Sequence, residues 1–187
     1  MRKILPSVFF SAVLWAESGV YIGAGGTMYN EDFTFNSTGF ASNEMSATYQ
    51  GSKIKIGYGE RKAYAIEFSL SYGEYDKNIF SDDDGAQVFV DIDIIKAFDT
   101  DIGFYPFIKF GFGVGNLKID RVLDSSVASG SFQVGGGFFI PIFGGDFELE
   151  ASAVYRWKNF EGIDLVGDAA EIDSSVIEPY IGLGYRF

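Results

Sequence analysis

The sequence predicts an all-β fold, a closed up-and-down barrel of eight antiparallel strands that spans a membrane. Three observations predict it. Apolar residues alternate with small or polar residues at period two over eight segments. The connections between these segments are alternately long and short, as in a transmembrane barrel. One stripe of the segments is apolar and rich in aromatic residues, as contact with lipid requires.

The composition fits this fold and excludes several kinds of function. Aromatic residues make up 18% of the 187 residues, and the chain has 24 glycines and only 4 prolines, which suits twisted strands better than helices. Because cysteine and histidine are absent, the chain lacks disulfides, thiolate chemistry and the usual general base near neutral pH. The net charge of -12 argues against a nucleic-acid partner, and no cofactor is predicted.

Residues 1–18 are predicted to be a cleavable signal peptide that precedes the fold. Arg2 and Lys3 give a positive start, and residues 4–15 form an apolar core too short to cross a bilayer as a helix. We expect cleavage after Ala16 or Ser18; an uncleaved membrane anchor is the alternative. Residues 19–187 are then one outer-membrane β-barrel domain of an exported protein.

The first four predicted strands cover residues 19–29, 48–58, 63–75 and 87–98. The first begins where the pattern changes to period two, and in the others the apolar stripe is clear. Its members in the second to fourth strands are Ile54, Ile56, Tyr58, Tyr64, Ile66, Phe68, Leu70, Tyr72, Val88, Val90, Ile92 and Ile94.

The last four predicted strands cover residues 104–117, 131–140, 147–157 and about 176–187. In the fifth and sixth strands, phenylalanine and β-branched residues alternate with glycine, which indicates close packing on the other side of the strand. A phosphate-binding loop would need a helix after such glycines, and here they lie within strands. The seventh and eighth strands keep the alternation to the end of the chain.

The connections predict how the barrel sits in its membrane. Short turns are expected at 59–62, 99–103 and 141–146. Long loops are expected at 30–47, 76–86, 118–130 and 158–175. An even number of strands brings both ends of the chain to the periplasmic side, and strands of about 10 residues match a tilted crossing of the bilayer.

The strands of a soluble lipocalin-like barrel also alternate apolar and polar residues. The side chains on the two stripes therefore decide between a soluble barrel and a membrane barrel. A soluble barrel needs long polar side chains outside, whereas here the polar stripe is mostly small, as a narrow interior requires. The aromatics of the apolar stripe gather at two heights, as girdles at the two membrane interfaces do. The expected girdle residues are Tyr58, Tyr64, Phe104, Phe147, Tyr185 and Phe187 at the periplasmic end and Tyr72, Phe132 and Trp157 at the outer end. Lys96 lies on the lipid-facing stripe, where it could snorkel to head groups.

The terminal segment YIGLGYRF resembles the C-terminal signature of bacterial outer-membrane barrels. That resemblance implies that Tyr185 and Phe187 are an assembly signal, read by the outer-membrane assembly machinery. Residues 19–187 as a whole resemble the small eight-stranded class, which includes the OmpA transmembrane domain, OmpX and Opa-like surface antigens. The resemblance implies a monomer in the bacterial outer membrane, surrounded by lipid and lipopolysaccharide.

Charged residues recur on the inward stripe and are predicted to form a network in the lumen. They are Lys53, Lys55, Glu67, Asp91, Asp93, Lys109, Glu148, Glu150, Arg156, Glu178 and Arg186. Because isolated charges in a narrow barrel are costly, we expect them to pair. The pairs either plug the lumen, as in the OmpA barrel that the chain resembles, or leave a path for ions or small solutes.

The predicted loops are acidic and contain a few apolar residues. The expected loop acids are Glu31, Asp32, Glu44, Asp76, Asp82, Asp83, Asp84, Glu161, Asp164, Asp168, Glu171 and Asp173. Of these, Asp82, Asp83 and Asp84 form a possible cation site, although a solvated acidic loop explains them as well. The apolar loop residues Phe33, Phe35, Phe40, Ile79, Phe80 and Phe160 either contact a ligand or pack loop against loop.

The sequence therefore favours a structural and surface-interaction protein of the outer membrane. A rigid barrel would display its loops to a host or cell-surface ligand, because binding residues collect on loops that a scaffold holds. A small pore is the alternative. An enzyme is not expected, since the barrel enzymes that use serine–histidine or aspartate–histidine chemistry need a histidine base and the chain has none.

Overall fold

A computed structural model describes residues 19–37, 40–60, 62–77, 85–118, 126–165 and 168–187, and within these ranges the chain forms eight strands. They are β1 (Gly19–Ser37), β2 (Phe40–Gly59), β3 (Tyr64–Tyr75), β4 (Gly85–Ala97), β5 (Tyr105–Lys118), β6 (Ser126–Ile142), β7 (Phe147–Leu165) and β8 (Asp168–Arg186). Each strand pairs antiparallel with the next, and β1 pairs antiparallel with β8, which closes the barrel. The predicted barrel is confirmed, while the signal peptide lies outside the described residues and stays a prediction.

A short 3-10 turn at Phe143–Gly145 joins β6 to β7. In the described part of the chain, no helix is long and apolar enough to cross a bilayer.

Side chains alternate between the lumen and the outer surface of the barrel. On β2, Ile54 and Ile56 are 57% and 53% exposed, whereas Lys53 and Lys55 beside them are only 4% and 8% exposed. This arrangement is the reverse of a soluble protein, in which long charged side chains are almost never fully buried. An apolar outer surface around a polar interior is the arrangement of a barrel that lies in lipid.

Two of the predicted long loops, 30–47 and 158–175, are largely strand, and their assignment as loops was wrong. The β1–β2 ladder continues without a break from Gly19↔Gly59 to Phe35↔Asn43, and β7 stays paired with β8 up to Leu165↔Asp168. The β2–β3 ladder, by contrast, ends at Tyr49↔Tyr75. The upper parts of β7, β8, β1 and β2 therefore rise as a four-stranded sheet above the rest of the barrel. We call residues 30–36, 44–48, 158–162 and 171–175 the wall.

The wall reverses the polarity of the barrel below it. Glu31, Lys158 and Ser174 at its base face the polar lumen, but above them its inward side chains are apolar, with Phe33, Phe160 and Ile172 at most 3% exposed, and its outward side chains include Asp32 and Glu44. A sheet that stands in water needs a polar outer face, so the apolar residues turn inward and pack between the strands. Phe33 and Phe160 therefore pack within the wall. This is one of the two roles that the sequence left open for them, the other being contact with a ligand.

Apolar clusters close both ends of the lumen. The upper plug contains Tyr29, Phe33, Ala47, Tyr49, Tyr75, Leu117, Val127, Phe160, Ile172 and Val176. The lower plug contains Tyr21, Ala65, Ile95, Ala97, Phe107 and Phe139. Stacked rings join the strands in each plug, with centroids 4.8 Å apart for Tyr29 and Tyr49 and 4.3 Å apart for Phe107 and Phe139. The polar interior therefore lies between two apolar layers.

Glycines on β5 make room for carboxylates on β4. Gly111 pairs with Asp93, and a Cβ at Gly111 would overlap the Asp93 carboxylate. We expect Gly111→Ala to lower the free energy of unfolding by about 1–3 kcal/mol, because overpacking displaces a paired side chain. Urea unfolding of the refolded protein in detergent, followed by tryptophan fluorescence, measures the change.

Gly130 on β6 is the matched control, since a Cβ there would meet no atom within 4 Å. Gly130→Ala is expected to change the free energy of unfolding by less than about 0.5 kcal/mol. If both variants unfolded at the same urea concentration, the tight packing at Gly111 would be contradicted.

Candidate functional site: a buried charge column in the lumen

The structure places all eleven predicted lumen charges in or at the end of the barrel interior. Ten of them are buried, and Arg186 lies partly exposed at the end of β8. Two further charges that the sequence placed in loops, Glu31 and Lys158, are 0% and 3% exposed. Assigning Glu31 to a loop was wrong; the signal that could have located both residues is that they keep the inward parity of β1 and β7. We call these residues together the charge column.

The lower layer of the column is centred on Glu67 of β3. Its carboxylate oxygens lie 3.4 Å from Lys55 Nζ and 3.6 Å from Lys109 Nζ, and Tyr21 donates a hydrogen bond of 2.9 Å to it. Lys109 Nζ also lies 3.5 Å from Asp93 Oδ2. Each base is shared between carboxylates, so no charge of this layer is isolated.

Two more contacts complete the lower layer. Lys55 Nζ donates a short hydrogen bond to Glu150, and Gln133 Nε2 donates one of 2.6 Å to Asp93 Oδ1. At the lower end of the barrel, beside Tyr21 of the lower plug, Arg186 Nη2 lies 3.6 Å from Glu148 Oε1, and Arg186 Nη1 donates to the carbonyl of Gly59. The layer therefore extends from the lower plug to the end of the closing strand.

The middle layer is built around Arg156 of β7, which is 1% exposed. Its two terminal nitrogens donate to the two oxygens of Asp91 at 2.7 and 3.0 Å, a bidentate pair. Its Nε lies 3.0 Å from Glu178 Oε2 without hydrogen-bond geometry. Lys53 Nζ donates a 2.6 Å bond to the other oxygen of Glu178. Four strands are thus held through one guanidinium and one ammonium group.

The upper layer holds the two charges that the sequence placed in loops. Lys158 Nζ lies 2.7 Å from Glu31 Oε2, and it also donates to Gln87 Oε1 at 3.1 Å. The hydroxyls of Tyr75 and Ser174 donate to the Glu31 carboxylate. This layer is enclosed by the upper plug, because Glu31 lies between Tyr29 and Phe33 on β1 and contacts Tyr75, and all three belong to that plug.

Little free volume is left between the middle and upper layers of the charge column. The cavity lined by Tyr29, Gln87, Arg156 and Glu178 measures about 10 Å³. A single water molecule needs about 10–15 Å³. Chemically the arrangement can hold strands together and fill the lumen, and the geometry favours an ion-pair plug over a path for solutes.

The outer surface carries the expected aromatic residues. Phe132 and Trp157 stack with centroids 5.4 Å apart at the outer end, and Tyr185 contacts Phe147 at 5.0 Å at the opposite end. Lys96 Nζ lies 4.2 Å from the ring centroid of Tyr64. Two aromatic zones therefore border the apolar band, as at the two interfaces of a membrane.

Solved structures resemble this barrel, although the sequence matches no protein-family model and no curated protein at a significant level. Neisserial surface protein A matches with 21% identity and a TM-score of 0.58, over 91% of this chain and 99% of that one. Outer membrane protein OprG from Pseudomonas aeruginosa matches with 17% identity and a TM-score of 0.58, over 90% and 96%. Outer membrane protein AlkL, solved in lipid bilayers, matches with 15% identity and a TM-score of 0.51, over 90% of both chains.

The chain is an eight-stranded outer-membrane β-barrel. The predicted class is confirmed, and the likeness to outer-membrane barrels agrees with the predicted location in the bacterial outer membrane. Short turns of such barrels face the periplasm and long hairpins face outward, so we expect the wall to stand on the cell surface. The final strand closes the barrel against β1, where Phe187 N donates to the carbonyl of Val20 at 2.9 Å. Tyr185 and Phe187 remain a predicted assembly signal.

Several predicted loop residues of the barrel lie outside the described residues or have no described side chain. Asp82, Asp83, Asp84, Ile79 and Phe80 belong to the first group, and Phe40, Asp164 and Asp168 belong to the second. Phe35 packs against the upper plug. Among the residues that the structure does describe, no three acidic side chains meet in a way that could hold a metal ion.

The periplasmic turns of the barrel carry an exposed ion pair, with Lys62 Nζ 2.7 Å from Asp99 Oδ2. The hydrogen bond from Lys62 lowers the pKa of the Asp99 carboxyl and raises the pKa of Lys62. Because the folded-state pKa of Asp99 is depressed, the pair contributes stability above the unfolded-state pKa of the carboxyl. That contribution is lost as the pH falls through the lowered pKa.

We expect Lys62→Ala to raise the pKa of Asp99 towards its ordinary value. An NMR titration of the carboxyl carbon in the variant and in the wild type measures the change. An unchanged Asp99 titration would show that the pair does not form in solution.

Proposed function

We propose that this barrel is a structural and surface-interaction protein whose sealed interior anchors an acidic wall on the cell surface. One observation carries the proposal: the wall is a paired sheet with a charged outer face of one sign. Its outward acids are Asp32, Glu44, Glu161, Glu171 and Asp173. No basic side chain lies on the described part of this face.

The wall holds its polar groups in fixed positions, unlike the mobile loops that the sequence predicted. Asp173 and Asn159 face each other across β7 and β8, where Asn159 Nδ2 donates a 2.6 Å bond to Asp173 Oδ1. On the other pair of strands, Thr48 Oγ1 lies 3.1 Å from Asn30 Oδ1. A surface that is already ordered loses less conformational entropy when a partner binds, which favours specific recognition.

The charge of the wall indicates the kind of partner. A negative surface attracts basic polypeptides or basic cell-surface proteins, and its long-range field speeds their encounter. Such attraction weakens with salt, since the Debye length falls from about 10 Å at 0.1 M to about 3 Å at 1 M. A basic ligand on a host or neighbouring cell is therefore the partner we propose.

We further propose that the protein is not an enzyme. The fold does not decide this, because one fold carries many functions. The chain contains no histidine, and the lumen acids Glu67, Asp91 and Glu178 each contact a base. Carboxylates held in this way are poor acid–base catalysts, since proton transfer needs access to substrate.

Adhesion of cells that display the protein tests the role of the wall. The variant Asp32→Asn/Glu44→Gln removes two wall charges, and Asp101→Asn/Asp146→Asn removes two charges from periplasmic turns. On a surface coated with a lysine-rich polypeptide, we expect the wall variant to bind at least about fivefold more weakly at low salt. The turn variant should bind like the wild type. Equal adhesion of all three proteins would refute the proposal.

Single-channel recording in a planar bilayer tests the pore alternative. We expect refolded wild-type protein to show no steady conductance, because ion pairs and plugs fill its lumen. Reproducible conductance steps from folded protein would overturn the sealed interior and favour the pore.

We also propose that export removes residues 1–18 and that Phe187 directs assembly. Mass spectrometry of protein from outer membranes would locate the cleavage after Ala16 or Ser18. Deleting Phe187 should reduce the yield of folded barrel in cells while leaving refolding in detergent unchanged. An intact N-terminus, or unchanged assembly without Phe187, would count against these two assignments.

A further inference from the structure

The lipid-facing surface of β2 and β3 changes from apolar to polar below the wall. Along β2 the outward residues are apolar up to Ile54, after which come Ser52, Gln50 and Thr48. On β3 the girdle residue Tyr72 is followed by Glu74. Because β3 ends at Tyr75, these polar side chains lie at the outer border of the apolar band. The head groups of the outer leaflet occupy this height.

Two grooves run along this border on either side of a ridge formed by Tyr72 and Glu74. The groove between β2 and β3 has a volume of about 740 Å³ and is lined by Thr48, Gln50, Ser52, Tyr72, Glu74 and Asp76. The second groove, of about 460 Å³, extends from the ridge to Asn116 and Lys118 of β5. Both volumes lie within the range of about 300–1,000 Å³ that is typical of small-molecule sites.

Hydrogen bonds fix the two carboxylates of the first groove. The hydroxyl of Tyr72 lies 3.3 Å from Glu74 Oε1, and the backbone amide of Thr48 donates a 2.7 Å bond to Asp76 Oδ1. A carboxylate has about four acceptor positions, and each of these contacts uses one. Glu74 and Asp76 can therefore accept further hydrogen bonds without changing position.

We propose that these grooves bind the sugar head group of a glycolipid in the outer leaflet. Carboxylates, amides and hydroxyls match the many donors and acceptors of a sugar, and the ring of Tyr72 offers a face for the apolar side of a sugar ring. A phospholipid head group fits less well, because it offers far fewer hydroxyl donors to Glu74 and Asp76 than a sugar does. Lys118 is a base on the described lining that can meet a phosphate attached to the sugar.

The surface below the grooves is apolar and suits the acyl chains of a glycolipid. Ile54, Leu70 and Val90 form an exposed apolar strip at 57%, 43% and 48% exposure, directly continuous with Ser52 and Tyr72. Acyl chains on this strip would place the attached sugar in the grooves. The site shares only Thr48 with the wall and includes none of the wall acids, so it can be tested independently of the proposed surface-interaction role.

Binding of purified deep-rough lipopolysaccharide to the protein in phosphatidylcholine nanodiscs tests the proposal. The variant Glu74→Ala/Gln50→Ala removes a facing carboxylate and amide from the groove. Glu161→Ala/Asn159→Ala removes the same two groups from the wall. We expect the groove variant to bind about tenfold more weakly and the wall variant to bind like the wild type. Resistance of the folded form to heating in detergent verifies that each variant is folded.

Two further probes separate head-group recognition from contact with acyl chains. The lipid-free core oligosaccharide should bind weakly and with the same sensitivity to the groove variant. Phosphatidylglycerol with matching acyl chains should bind equally to wild type and variant, and more weakly than lipopolysaccharide. An unchanged affinity of the groove variant for lipopolysaccharide, or equal binding of the two lipids, would overturn the proposal.

Discussion

Replacing Arg156 with methionine is expected to destabilise the barrel by about 3–5 kcal/mol, the cost of breaking a buried ion pair on one side. Asp91 and Glu178 both contact the guanidinium and are only 1% and 4% exposed. Methionine fills much of the volume but leaves Asp91 without its bidentate partner. Equilibrium urea unfolding in detergent micelles, with tryptophan fluorescence and gel mobility as two probes, measures the loss.

Lys62→Met is the matched control for this experiment. It also removes a base that lies 2.7 Å from a carboxylate, but both partners are exposed to solvent. Exposed pairs contribute little because water screens them. If Arg156→Met and Lys62→Met caused the same small change, the middle layer of the charge column would not be a tight network.

Replacing Lys158 with methionine is expected to lower the free energy of unfolding by about 3–5 kcal/mol, as for Arg156→Met. The reason is that Glu31 would remain buried without a base. The double variant Lys158→Met/Glu31→Gln should recover most of the loss. An amide in place of the carboxylate carries no charge; its oxygen can accept a hydrogen bond from one of the hydroxyls of Tyr75 and Ser174, and its nitrogen can donate to the other. The four free energies of unfolding form a double-mutant cycle that isolates the coupling between the two residues.

Additive effects of the two substitutions would contradict a direct pair between Lys158 and Glu31. Glu31→Gln alone should destabilise the protein less than Lys158→Met, since it leaves a neutral group beside the hydroxyls and a lysine that still contacts Gln87. The order of these two effects is a second check on the same layer.

The sequence located the part of the barrel that lies in lipid. In β3, for example, Phe68 and Leu70 alternate with Glu67 and Ser69, and period two identifies both faces of the strand. The inward charges followed from the same parity. The pairing of these charges could not be predicted in the same way. Arg156 pairs with Asp91 and Glu178 because of the register of strands that are far apart in the sequence.

The wall escaped prediction because its polarity is inverted. In β1 the outward residues Asp32 and Thr34 are polar while the inward residue Phe33 is apolar, yet the strand itself continues. A search for apolar residues on the outward stripe therefore stops near Met28 and assigns the rest to a loop. The inward parity of Glu31 and Lys158 was available in the sequence, but only a strand that continues past the membrane makes that parity meaningful.

The layered ion pairs also bear on how the chain enters a bilayer. Lys53 bonds Glu178, which lies 125 positions away, and Arg156 bonds Asp91, which lies 65 positions away. A single hairpin such as β2–β3 would therefore carry Lys53 into hydrocarbon before its acceptors Asp91 and Glu178 arrived, which is costly. Insertion of the strands and closure of the barrel are then one cooperative event with a high barrier. Segments that are distant in the sequence must meet before their contacts can stabilise the fold. We therefore expect such a chain to fold slowly unaided and faster with a catalyst that pairs its strands at the edge of the membrane.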